Sequence, residues 1–172
     1  MIKLFGVLFL IVGSVGISAS LCRERKRQLQ QLMEMKHMFL LIQEDIRYSG
    51  LPIPLIIQKT AKKTDPPFSQ ALTAIAALSL QNDGEQLHPI WEKEMQAVSE
   101  QLSLSKEQQE LLWEFPQSLG LWEKEGQAKA LSYYIEETDK WIIQSEKEEK
   151  DKNKVIMSLG AAAGIMLSVL LL

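Results

Sequence analysis

Both ends of this chain are long and apolar enough to leave water, and that constrains everything between them. Leu4 to Cys22 runs 19 residues without a charge, and Val155 to Leu172 runs another 18. At about 1.5 Å per helical residue, each comes close to the roughly 30 Å of hydrocarbon in a bilayer. Every charged side chain except Lys3 lies between Arg23 and Lys154. The expected organisation is a first transmembrane helix in residues 1–22, kept as an anchor, a helical domain in 23–154, and a second transmembrane helix in 155–172. Averages hide this pattern, because 46% apolar residues and a net charge of −3 would suit an ordinary soluble protein.

The first apolar run has to be distinguished from a cleaved signal peptide, since Ser18-Ala19-Ser20 offers small residues for a peptidase. The flanking charges argue for an anchor. Lys3 is the only charged side chain before the run, whereas Arg23, Arg25, Lys26 and Arg27 follow it at once. Such a cluster is retained on the cytoplasmic side. Bulky Leu21 before Cys22 disfavours lipoprotein processing, and a single cysteine excludes an intramolecular disulfide. Cys22 is then either a palmitoylation site at the membrane edge or a plain apolar residue there. Lys147, Lys150, Lys152 and Lys154 crowd the near side of the second span with no charge beyond it, which gives the same orientation. The expected topology has the middle domain cytoplasmic and both termini across the membrane.

Within the middle segment, Leu32, Met35, Phe39, Ile42 and Ile46 step by 3, 4, 3 and 4, the spacing of a helix packed along a partner helix. This helix should end near Ser49-Gly50, with Gly50 in a left-handed cap and Pro52 or Pro54 opening a second helix that carries Ile53, Ile56 and Ile57. Thr64-Asp65-Pro66-Pro67 breaks the chain before a third helix with Phe68, Leu72, Ile75 and Ala76 on one face, closed by Asn82-Asp83-Gly84. Pro89 suits the first turn of a fourth, predicted to carry Trp91, Met95, Val98 and Leu102. Ser105 and Gln108 have the spacing of a capping box for a short fifth helix through Leu111, Leu112 and Phe115, which Pro116 and Gly120 should disturb. From about Glu123 a last helix carries Ala128, Leu131, Ile135, Thr138 and Ile142 without a break into the second span. No segment alternates apolar and polar residues in the manner of a strand. The expected fold is all-α, an antiparallel bundle of about six helices flanked by the two spans, with its first and last helices paired antiparallel.

Little in the sequence points to catalysis. His37 and His88 lack partners at metal-ligand spacing, no phosphate loop is present, and neither apolar run holds an ionisable group that would mark a transport path. No catalytic residue, metal, cofactor or small-molecule substrate is expected, and the mixed charges of the middle segment offer no broad basic face for nucleic acid. The alternating charges of Glu136 to Lys154 read as a solvated helix face. Trp91 fits a core stripe, whereas Trp113, Trp122 and Trp141 are candidates for partner contact, with packing as the competing reading. In the second span Gly160 and Gly164 form a GxxxG pattern, and Gly16 and Ser20 repeat small-xxx-small spacing in the first, so these four are the candidates for transmembrane helix packing.

The order of several elements carries a resemblance. The two apolar ends, the basic run Arg23 to Arg27, the stretch from Ile42 through Gln43-Glu44-Asp45-Ile46-Arg47-Tyr48-Ser49-Gly50 to Leu55, Trp91, Leu119-Gly120, Gln127 and the glycine-rich last span together resemble the stage III sporulation protein AB family of endospore-forming bacteria. That family is similar in turn to the cytoplasmic helical domain of type II secretion and type IV pilus platform proteins, which implies a six-helix bundle. The resemblance also implies a component of a sporulation channel complex in the membrane around the forespore, with the bundle on the mother-cell side. A secretion-type ATPase, other membrane proteins of the channel and the lipid bilayer would be its partners. It carries over no catalytic residue. Two functions therefore stand as expectations: a non-enzymatic platform for such a channel, or a regulatory or recruiting membrane-anchored protein unrelated to one.

Overall fold

The computed structural model describes the backbone of residues 2–81, 87–119 and 124–171, and the side chains of 23–81, 87–119 and 125–148. Six α-helices follow one another: α1 (Ile2–Tyr48), α2 (Ile53–Ala61), α3 (Phe68–Gln81), α4 (Leu87–Ala97), α5 (Lys106–Leu119) and α6 (Lys124–Leu171), with a 3-10 turn at Ser99–Gln101 between α4 and α5. No strand occurs among the described residues. The expected closure at Asn82-Asp83-Gly84 lies outside them.

Helix α1 ends where the sequence says it must. The Ser49 N–H still donates to the Asp45 carbonyl at 2.9 Å, and Gly50 then takes φ 65°, which removes the chain from the helix without the strain a Cβ would meet there. Pro52 caps α2, and its missing N–H costs nothing at that position.

The longest contact is between α1 and α6, and it is antiparallel. Gln43 Nε2 donates to the Ala128 carbonyl at 2.7 Å and to Ser132 Oγ at 3.0 Å. Further back along α1, Lys36 pairs with Asp139, and beyond that Arg25 reaches Glu148 at 3.5 Å. Positions fall along α1 as they rise along α6. The short helices α2 to α5 cover the other side of the pair, α2 against α3, α3 against α4, and α5 against both α4 and α6. All five residues of the α1 stripe, Leu32 to Ile46, are buried, as are Phe68, Leu72, Ile75 and Ala76 of α3 and Ala128, Leu131, Thr138 and Ile142 of α6; Ile135 is partly buried.

Two expectations are corrected. Helix α4 stops at Ala97, so Val98 and Leu102 are not on its face. Both are nevertheless buried, because the 3-10 turn folds them back onto the core, closed by Gln101 N–H to Val98 and Leu102 N–H to Ser99 at 2.9 and 3.0 Å. Pro116 does not cut α5 short either, for the helix continues to Leu119. A proline here deprives the Leu112 carbonyl of its usual donor four residues on. The Trp91 indole N–H takes that place at 2.9 Å. One buried tryptophan thereby satisfies both its own donor and an orphaned acceptor.

Candidate partner-binding surface

The rigid parts behind a protein surface decide what it can present. In the middle of the bundle an aromatic cluster locks α1, α4, α5 and α6. Phe115 stacks on Phe39 with ring centroids 4.6 Å apart, lies 5.1 Å from Trp91, and meets Tyr134 edge-on at 5.4 Å. Burial pushes the Tyr134 phenol above its ordinary pKa, with the Glu114 carboxylate and Tyr133 adding to the effect. Its O–H donates to the Glu114 carbonyl at 3.3 Å.

At the collar end, where α1 enters the bundle and α6 leaves it, the joints are polar. Gln31, almost fully buried, donates from Nε2 to the Gln101 carbonyl at 3.0 Å and accepts from the Ser103 N–H at 2.6 Å. The Arg27 guanidinium donates to the same Gln101 carbonyl at 2.9 Å. Gln28 Nε2 donates to Gln108 Oε1 at 3.0 Å. That same Gln108 closes the predicted capping box: its Oε1 accepts from the Ser105 N–H at 2.9 Å, and its own N–H donates to Ser105 Oγ at 3.3 Å. The start of α5 is thus clamped to α1 immediately after the basic run.

Of the tryptophans expected to contact partners, Trp113 and Trp141 are partly buried and pack against the core. The Trp113 indole N–H is enclosed with no acceptor, so that edge is not offered outward. Trp141 lies beside the polar joint and lines an open depression of about 270 Å³ with Gln28, Ser105 and Gln144. No ring contact joins these two tryptophans among the described residues. Trp122 lies outside the described residues, as do the packing of Gly16, Ser20, Gly160 and Gly164 and the side chains of both apolar ends. Among the residues whose side chains are described, which leaves out both apolar ends, no helix is long and apolar enough to cross a membrane, and no cluster of potential metal ligands occurs. His37 and His88 are both exposed. The sequence reading missed a different set. Among the described residues, the large apolar side chains left exposed are Met33, Leu40, Tyr48, Tyr133 and Ile143 of α1 and α6, with Leu51 and Leu80 elsewhere. Met33 and Leu40 are spaced by seven, a signal present in the sequence beside the core stripe.

These features define a protein class: an all-α bundle of four short helices laid on a long antiparallel pair. The chain belongs to the stage III sporulation protein AB family, whose sequence model matches residues 3–172, and so it takes its place among sporulation proteins. It is 27% identical over 175 residues to the stage III sporulation protein AB of Bacillus subtilis (strain 168), covering all of both chains. A solved structure of a stage III sporulation protein AB superposes with a TM-score of 0.65 at 21% identity, over 73% of this chain and 98% of that one, and shares its fold.

Proposed function

We propose that the chain is a non-enzymatic membrane platform of a sporulation channel, its bundle on the cytoplasmic, mother-cell side and its ends, 1–22 and 155–172, crossing the membrane. One observation carries this reading. Helices α1 and α6 run side by side in opposite directions, and each continues unbroken into one of the two apolar ends. Both ends therefore leave the bundle at its collar, where Arg23, Arg25, Lys26 and Arg27 form the basic rim expected on the cytoplasmic side. With both ends in one bilayer, the remaining surface faces a soluble partner. A secretion-type ATPase fits that role because the family resembles secretion platforms, and the channel's membrane proteins would meet the two spans through Gly160 and Gly164, with Gly16 and Ser20 in the first span. Trp113, Trp122 and Trp141 remain the proposed aromatic contacts.

The test is purification of the full-length protein from sporulating cells in mild detergent, with its companions identified. Recovery of a secretion-type ATPase together with channel membrane proteins is the expected result. Recovery of unrelated proteins alone would overturn the platform reading in favour of a recruiting or regulatory protein.

A further inference from the structure

The long helix pair has an outer face that no other described residue covers. On α1 the exposed residues Met33, His37, Leu40 and Glu44 follow each other at steps of 4, 3 and 4, opposite the buried Met35, Met38, Ile42 and Ile46. The side chains that reach α6, Lys36 and Gln43, leave from the flank between. Helix α6 repeats the arrangement. Tyr133, Glu136, Lys140 and Ile143 are exposed, Leu131, Tyr134 and Thr138 are buried, and Ser132 and Asp139 face α1 from the flank. With the core on one side of both helices, both exposed stripes look out on the other. Met33, Leu40, Tyr133 and Ile143 are between 42% and 60% exposed, which leaves four large apolar groups in water on one two-helix face.

We propose that this face binds a second copy of the chain, forming a two-fold dimer whose axis is the membrane normal. The inference rests on the reading that both ends enter one membrane, because two copies inserted alike can be related only by an axis along the normal. Such a rotation sets α1 of one copy against α6 of the other at equal height. The register within the chain fixes those heights, since the Gln43–Ser132 and Lys36–Asp139 bonds are seven residues apart on each helix. Met33 is three residues from Lys36, and Ile143 four from Asp139 on the same side, so their levels differ by about 1.5 Å. Leu40 and Tyr133 differ by two residues, about 3 Å, and meet in the same way. Glu44 and Lys129, both exposed, differ by the same two residues and carry opposite charges. Apolar meets apolar, and anion meets cation, twice over by symmetry.

The experiment measures the mass of the full-length protein in detergent by light scattering, over a concentration series. The parent is expected to be dimeric. Glu44→Lys should weaken association at least tenfold by setting a second cation against Lys129, and the double variant Glu44→Lys, Lys129→Glu should restore it. In a Cys22→Ser background, tagged Met33→Cys mixed with untagged Ile143→Cys should crosslink with a short bis-maleimide, whereas Leu80→Cys, equally exposed on α3, should not. A parent that stays monomeric, a single variant that dimerises like the parent, a double variant without rescue, or a different protein found on this face in place of a second copy would each overturn the proposal. A monomer that still recovers the channel proteins would overturn the dimer alone. A rescued dimer that recovers none of them would overturn the platform and leave the dimer standing.

Discussion

Where α1 passes the start of α5 the contact is made of amides and a guanidinium; about three turns further along, where it passes Phe115, it is made of rings. Both joints hold α1 to α5, the first also to the 3-10 turn and the second also to α4 and α6, but they divide the work. The rings remove apolar surface from water, which is where most folding free energy arises, and they tolerate small displacements. The amides gain little net energy, because each bond replaces one to water, yet they fit in a single register. Gln31 can satisfy both ends of its amide only when Gln101 and Ser103 stand where they do. The middle of the bundle supplies stability, and the collar supplies position, next to the segments that are proposed to enter the membrane.

That division can be broken in steps, followed by thermal or urea unfolding of the full-length protein in detergent. Phe115→Ala should cost the most, about 3–5 kcal/mol, since it empties the centre of the aromatic cluster. A loss under about 1 kcal/mol would mean that the rings are not the main support. Gln31→Ala should cost roughly 2 kcal/mol, leaving the half-buried Ser103 N–H and one tie to Gln101 unmade. Ser105→Ala removes one half of the capping box and should cost about 1 kcal/mol. Arg25→Ala should cost no more than about 0.5 kcal/mol, because its pair with Glu148 is long and half-exposed on both sides.

The smallest effect at neutral pH sharpens the ring side of the comparison. The Tyr134 phenol has a folded pKa raised above 10.0 by burial, so the fold favours its neutral form. This contribution is fully present below pH 10.0 and is lost as pH climbs from there through the folded pKa. Tyr134→Phe should therefore flatten the alkaline decline in stability between those limits. An unchanged alkaline slope would show that the phenol is open to water.

The two joints also differ in how far the sequence discloses them. Leu32, Met35, Phe39 and Ile42 declare their helix and its buried face through spacing alone, because periodicity is local. The Ser105–Gln108 box is legible for the same reason. The pairing of Gln31 with Gln101 spans 70 residues, and a glutamine in a helix carries no mark of a distant partner. Pro116 is half legible: read locally it should disturb a helix, and only the folded chain brings the Trp91 N–H to the carbonyl it exposes. The surface was less legible than the core. Tryptophan content pointed to Trp113 and Trp141, which the fold half-covers, whereas the apolar groups left exposed on the long helix pair include Met33, Leu40, Tyr133 and Ile143.

Helices α1 and α6 are 47 and 48 residues long, and neither contains a proline. At 1.5 Å per residue each is a rod of about 70 Å, with no kink-inducing proline to serve as a joint. A tilt of one degree at one end of such a rod displaces the other by roughly 1.2 Å. A small change of angle at the bundle is therefore magnified along a straight helix of this length before it reaches the far tip.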